Sequence, residues 1–306
     1  MSVLQSEVQS EVPSIQGVVA APAKPERSSS QIRQLIKKFS KHKLAVAGLV
    51  FTLLLILVGL FGFWLSPYDP AKISGDFGAA PSSEHWLGTD QLGRDVLSRL
   101  ISAAQVSMLV GFATVALYVV VGTIIGLLSA YYGGWLDMMF MRVTDVVMAF
   151  PFMMVILVVV SVVGPSIWTL VIVLALFSWP SVARLVRGSV LSLKQSDYVK
   201  AAVTLGLNTP RIIFRHILPN AIAPIIVNAT FGVAAAILTE SGLSFLGMGV
   251  QPPLASWGNM LSDAQSITIL SEKPWLWVPP GLMILLTVLS INFVGDGLRD
   301  ALDPKQ

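Results

Sequence analysis

Apolar runs almost free of charged residues divide this chain, and clusters of charge separate them. A helix needs about 20 residues to cross a hydrocarbon core of roughly 30 Å, and inside that core only helices or closed barrels satisfy the backbone. Six runs approach or exceed that length: 44–65, 103–130, 143–163 broken by Pro151, 167–182 closed by Trp179 and Pro180, 221–246 and 275–294. The expected fold class is therefore an all-α integral membrane protein with six transmembrane helices. Composition agrees, because 54% of residues are apolar and only 12% charged, where a soluble domain carries about a quarter.

The flanks set the orientation. Residues 1–30, rich in Ser, Pro, Ala and Glu without a periodic apolar face, read as a disordered tail. No basic region meets an apolar run there, so it is not read as a signal peptide. Residues 31–43 set Arg33, Lys37, Lys38, Lys41 and Lys43 against Ile32, Leu35, Ile36 and Phe39, the pattern of a basic amphipathic helix lying at the interface. Six spans place both termini on one side, together with the basic segment holding Arg184, Arg187, Lys194, Lys200, Arg211 and Arg215. The loop 66–102 falls opposite and carries Asp69, Asp76, Glu84, Asp90 and Asp95. The positive-inside rule then puts the tails 1–30 and 298–306 in the cytoplasm, loop 66–102 outside, and a transmembrane core at 103–297. Basic residues beside apolar spans are accounted for by the membrane surface, so the formal charge of +3 does not call for nucleic acid.

About thirty residues join the fourth and fifth spans, far more than a turn between packed helices needs. Tyr198, Val199, Ala201, Ala202 and Leu205 can form a small apolar face, Gly206 interrupts it, and Pro210 can start a second helix running to Pro219. A short helix held beneath the membrane suits docking into a partner's groove, since Ala and Gly permit close approach. An interfacial anchor is the alternative.

Several polar residues within the spans need partners. Arg142 and Asp145 are spaced to pair on one helix and orient the third span. Glu240, near Thr239, Ser241 and Ser244, must face protein or water, either lining a pore or making an interhelical hydrogen bond. Asn228, Thr230 and the small residues Ala234, Ala235 and Ala236 suit close packing beside a path. Outside, Trp86, Asp90, Arg94 and Asp95 precede the second span, while Trp257, Gly258 and Asn259 follow the fifth. Tryptophans there read first as interfacial anchors, and Arg94 with its acids as structural salt bridges. His42, His85 and His216 are scattered, cysteine is absent, and no phosphate-binding loop occurs. We therefore assign this chain no catalytic residue, metal site or bound cofactor.

The stretch YVKAAVTLGLNTPRIIFRHILPN resembles the cytoplasmic loop signature of the membrane subunits of bacterial ABC importers, with Ala201, Ala202, Gly206, Leu218 and Pro219 in register. Lys200 stands where that family has glutamate. HWLGTDQLGRDVLSR (85–99), LSFLGMGVQPPLASWGNML (243–261) and GDGLRDALDP (295–304) are similar to the C-type permease of dipeptide and oligopeptide importers, so the resemblance covers about residues 38–304. It implies the type I importer permease fold and a heterodimer with a second, similar permease. Two cytoplasmic ATPases would carry ATP and Mg, and a periplasmic binding protein would deliver peptide through the bacterial inner membrane.

Within 198–219, the resemblance assigns the coupling helix to Tyr198 through Leu207, including Lys200 and Leu205, with His216, Leu218 and Pro219 as its support. Asp90, Arg94, Asp95, Trp257 and Asn259 are a candidate periplasmic gate or receptor contact, and Asn228, Thr230, Glu240 and Ser244 a candidate pathway or helix-packing set. Dipeptides or short oligopeptides are the expected cargo; relatives carrying glutathione, opines or nickel complexes are the alternative. A secondary transporter should show repeated halves, and no convincing internal repeat occurs. A channel or scaffold would tolerate any anchor in place of the coupling segment.

Overall fold

The computed structural model describes residues 29–302. Residues 1–28, most of the expected N-terminal tail, and 303–306, the end of the C-terminal one, lie outside the described residues. The basic amphipathic segment is helix α1 (Ser29–Lys41), followed by α2 (Lys43–Leu65), whose first turn is capped by His42 Nδ1 accepting from the Ala45 N–H. An irregular segment then leads to α3 (Val96–Tyr132). The helix begins ahead of the expected Ala103 because Asp95 caps it, its carboxylate accepting from the Ser98 backbone at 2.7 Å. The loop expected over 66–102 therefore ends at Asp95.

The third apolar run is two helices, α4 (Gly134–Ala149) and α5 (Phe152–Val163), bent by 83° around Pro151. The expected break is there, and it turns the chain sharply. Helix α6 (Ile167–Lys194) corrects the reading at Trp179 and Pro180, where the fourth span was expected to close. The helix continues through Pro180, carrying Arg184, Arg187 and Lys194, which are therefore helical rather than loop residues. Packing outweighs the proline here. A Cβ on Gly122 would stand 2.7 Å from the Trp179 carbonyl, and one on Gly126 would stand 2.6 Å from that of Ala183, so α3 clamps α6 on both sides of Pro180.

Beyond α6 come α7 (Asp197–Thr204), α8 (Thr209–Ile212), a π turn (Ile213–Ile217) and α9 (Leu218–Phe245). Next come α10 (Trp257–Leu261), a 3₁₀ turn (Ser262–Gln265) and α11 (Ile267–Glu272) before α12 (Pro274–Leu302). The expected C-terminal tail thus begins as helix. Among the described residues, five helices are long and apolar enough to span a membrane, six if α4 and α5 count as one.

Helix α3 is the central post, packed on α6, α9 and α2, while α12 packs on α2 and α9. Gly48 lies against the Ser290 backbone and Gly297 against Ala45 and Phe39, so the start of α2 and the end of α12 share one end of the bundle. The end of α2 meets the start of α3 at the other, where Gly62 faces Ile101 and the Tyr68 N–H donates to Ser98 Oγ at 3.1 Å.

Candidate functional site

At the end of the bundle that holds α1, three helices are tied together by charge. Lys194 donates to the carbonyls of Ala130 (3.1 Å) and Tyr131 (2.8 Å), satisfying the last turn of α3. Arg187 donates through Nε and Nη2 to the two carboxylate oxygens of Asp137 at 2.6 and 2.7 Å, and the Ser129 hydroxyl donates to the same carboxylate. Arg184 pairs with Asp145 at 2.6 Å. The expected partner, Arg142, is replaced because α6 passes alongside α4.

From this bracket α7 projects. Its chain reversal is a C-terminal glycine motif: the Gly206 N–H donates to the Val203 carbonyl (3.0 Å) and the Leu207 N–H to that of Ala202 (3.2 Å), with Gly206 at φ +72°. The anticipated apolar face is divided. Val199 and Ala202 are buried and seat the helix, whereas Tyr198, Lys200, Ala201 and Leu205 face outward, Leu205 at 79% exposure. Val203, within the expected coupling helix but not in its anticipated apolar face, joins that exposed patch. Pro210 starts α8 as expected. Pro219 offers no N–H to the Arg215 carbonyl, and the helix widens into the π turn immediately before it. His216 lies in that turn, its carbonyl accepting from Asn220 at 2.6 Å, and Leu218 packs half-buried on the core.

The opposite end is a dense polar module. Asp90 Oδ1 accepts the backbone N–H groups of Leu92 and Arg94, both at 2.9 Å, while Oδ2 faces Arg94 Nε at 2.7 Å and Arg99 Nε at 3.4 Å. Asp95 caps α3 and also meets His85 Nδ1 at 2.9 Å, a partnership ten residues apart that the scattered histidines did not suggest. Asp263 lies nearby, its carboxyl pushed above the ordinary range by burial and by Asp90, with Arg99 and Arg94 opposing.

Glu240 is fully buried. Ser244 donates to it at 2.6 Å, and Ser107 on α3 and Ser241 stand at 3.5 Å. Ser107 Oγ in turn accepts the Trp257 N–H at 3.2 Å, and Ser244 Oγ that of Val250 at 3.1 Å. Glu240 is thus enclosed by serines of its own helix and of α3. Trp257 is also fully buried, donating from Nε1 to the Leu100 carbonyl at 3.3 Å, which corrects its reading as an interfacial anchor; Trp86 stays 69% exposed. Asn259 completes a capping box with Ser256 and holds the carbonyls of Val250 and Leu254.

Between these ends, α3, α5, α6 and α9 enclose a cleft of about 420 Å³, lined by Thr114, Tyr118, Phe152, Phe177, Ser178, Ser181, Asn228, Phe231 and Thr239 among others. Asn228 is the one expected pathway residue the cleft includes. Thr230 lines a separate apolar crevice with α2 and α12, and Glu240 and Ser244 are sealed in the polar module. Thr114, Tyr118 and Ser181 were missed because hydroxyls within apolar runs are common and only the fold makes them converge. No group of three or more His, Cys, Asp or Glu among the described residues is placed to hold a metal ion.

A bundle of spanning helices with a cleft between them and a short helix exposed at one end is the architecture of a membrane permease. The chain belongs to the family described as binding-protein-dependent transport system inner membrane component, whose model matches residues 122–306. Residues 30–81 match the N-terminal TM domain of oligopeptide transport permease C. The chain is 43% identical over 275 residues to the dipeptide transport system permease protein DppC of Alkalihalophilus pseudofirmus, covering 89% of this chain and 90% of that one. A putative peptide permease protein of Brucella suis is 44% identical over 280 residues (91% and 92% covered), and the glutathione transport system permease protein GsiD of Escherichia coli is 40% identical over 284 (92% and 93%). The fold is similar to that of a chain of the methionine ABC transporter MetNI, with a TM-score of 0.56 at 15% identity over 68% of this chain and 97% of that one.

Proposed function

We propose that this chain is the permease subunit of an ATP-driven importer for peptide-like cargo, dipeptides or short oligopeptides first, with glutathione as the closest alternative. The observation that carries the coupled mechanism is α7: an eight-residue helix seated by Val199 and Ala202, with Tyr198, Lys200, Ala201, Val203 and Leu205 left facing outward. A second permease of the same family would complete the pathway, two ATPases carrying ATP and Mg would receive α7, and a binding protein would deliver cargo to the outer module. Both termini and α7 lie on the cytoplasmic side in this reading, supported by the basic α1 and the bracket of Arg184, Arg187 and Lys194.

Closure of the ATPases would push on α7, and the bracket of Asp137, Arg187 and Lys194 would pass that movement to α3, α4 and α6. Nucleotide binding thereby shifts the population between two openings of the path. Lys200, where the family signature has glutamate, would present a cation to the ATPase groove. The test is ATP-dependent uptake of labelled dialanine by the complete complex in proteoliposomes, comparing wild type with Gly206→Trp. Nothing lies within 4 Å of a Cβ at Gly206, so the indole would occupy space left for a partner. Uptake and binding-protein-stimulated ATP hydrolysis should both be lost while the permeases stay assembled. Uptake that persists without ATP would overturn the importer, and ATP-coupled turnover without movement of dialanine or glutathione would overturn the cargo alone.

A further inference from the structure

Thr114 and Tyr118 sit near the middle of α3, Ser178 and Ser181 near the middle of α6, and Asn228 near the middle of α9, so a largely apolar cleft carries hydroxyls and a carboxamide near the centre of its helices. Polar groups there are costly unless they meet protein, water or a transported molecule. Here several meet nothing of the protein. Thr114 Oγ1 is buried without a partner, and the Tyr118 hydroxyl and the Asn228 amide make no hydrogen bond among the described residues. Ser181 and Thr239 donate to the Ser178 and Ala235 carbonyls of their own helices, both at 2.8 Å, and so keep only acceptor capacity for the cleft. Gly232 is what brings the Tyr118 hydroxyl against α9, since any Cβ there would collide with it. No Asp, Glu, Lys, Arg or His lines the cleft, and phenylalanines form part of its wall.

We propose that Tyr118 and Asn228 form an uncharged hydrogen-bonding station for the main-chain amide of a passing peptide. An amide offers one donor and one acceptor, which this mixture of hydroxyl and carboxamide groups matches. With no fixed charge in the cleft, the station handles the feature all peptides share and leaves their side-chain charge unread. Weak, neutral contacts also release the cargo, which a buried ion pair would retain. The station rests on the pathway reading above, and the experiment separates the two.

The chain has no cysteine, so Ser181→Cys supplies a single labelling site on it. The complete importer in proteoliposomes is treated with a membrane-impermeant charged maleimide, and modification is read on this subunit. Uptake is then measured for dialanine and for alanyl-lactate, the ester that lacks the amide N–H, in wild type, Tyr118→Phe and Asn228→Leu. We expect labelling during turnover and about fivefold slower dialanine uptake per ATP hydrolysed in each variant. The ratio of dialanine to alanyl-lactate uptake should fall towards one, which a general packing defect would not produce. Labelling with unchanged uptake and ratio would keep the pathway and overturn the station. No labelling in any nucleotide state would mean that lipid or the second permease fills the cleft, and both readings would fall. Uptake of neither dialanine nor glutathione by wild type would overturn the peptide occupant.

Discussion

The two ends of this bundle use polar residues in opposite ways. At the outer end, Glu240, Asp95 and Ser256 are buried, and their oxygens are spent on serine hydroxyls, on His85 or on the backbone N–H groups of the helices they cap. At the other end, α7 holds itself with two buried side chains and a glycine turn and leaves its remaining surface open. The outer module closes over itself, whereas α7 is shaped like half of a contact. A buried polar network fixes one geometry because any displacement leaves groups unpaired, so we read the outer end as the part that stays rigid and α7 as the part that moves with a partner.

Glycine substitutions give the largest contrast. A Cβ on Gly258 would stand 2.5 Å from the Ser241 Cα and 2.8 Å from its carbonyl oxygen, both backbone atoms that cannot rotate away. Gly258→Val should cost about 3 kcal/mol or more and lower the thermal midpoint and yield of the complex. Gly206→Trp meets open space and carries only the strain of a side chain at positive φ, about 1–2 kcal/mol. It should lower the midpoint less than Gly258→Val does and abolish uptake. Similar stability losses at both positions would erase the distinction.

Glu240 tests the closed end next. Glu240→Ala leaves Ser107, Ser241 and Ser244 facing a small void and should destabilise by about 3 kcal/mol. Glu240→Gln keeps the shape and an acceptor, and should cost about 1 kcal/mol. If both variants unfold alike, charge rather than the hydrogen-bonded shape holds the module. Two ion pairs sharpen the comparison further. Arg94 and Asp90 are 13% and 6% exposed, Arg187 and Asp137 33% and 21%. Double-mutant cycles on thermal unfolding should give a coupling of about 2 kcal/mol for the outer pair and about 1 kcal/mol for the inner. Arg187→Ala should also lower the stimulation of ATP hydrolysis by the binding protein, which Arg94→Ala should leave nearer to wild type.

How much of this was legible depended on the range of the interaction. The spans, the break at Pro151 and the turn at Gly206 follow from local chemistry, since an uncharged run, a missing N–H and a residue tolerant of positive φ each act where they stand. Continuation of α6 through Pro180 was hidden because Gly122 and Gly126, which hold it, lie on another helix. The same holds for Arg187, whose partner is fifty residues away, and for the cleft, whose hydroxyls come from three helices. Trp257 was misread because tryptophan near a span end fits a lipid interface as well as a buried pocket; only Ser107 and the Leu100 carbonyl decide between them.

The smallest effect concerns pH at the closed end. Burial raises the Asp263 carboxyl above its ordinary range, so the folded chain holds that proton more tightly than the unfolded chain does. Its contribution to stability is fully present below the unfolded value, near 3.9, and is lost as pH rises through the higher folded value. At neutral pH Asp263 is therefore a net burden on the module, only partly offset by Arg99 and Arg94. Asp263→Asn removes the titration while keeping the shape, so its midpoint at neutral pH should rise slightly and the gain that wild type shows on mild acidification should shrink. A variant less stable at neutral pH, with the wild-type acid dependence intact, would show that Arg99 needs the Asp263 charge more than the fold resents burying it. The outer module would then be held by its charges, like the bracket around Arg187, and the contrast between the two ends would rest on α7 alone.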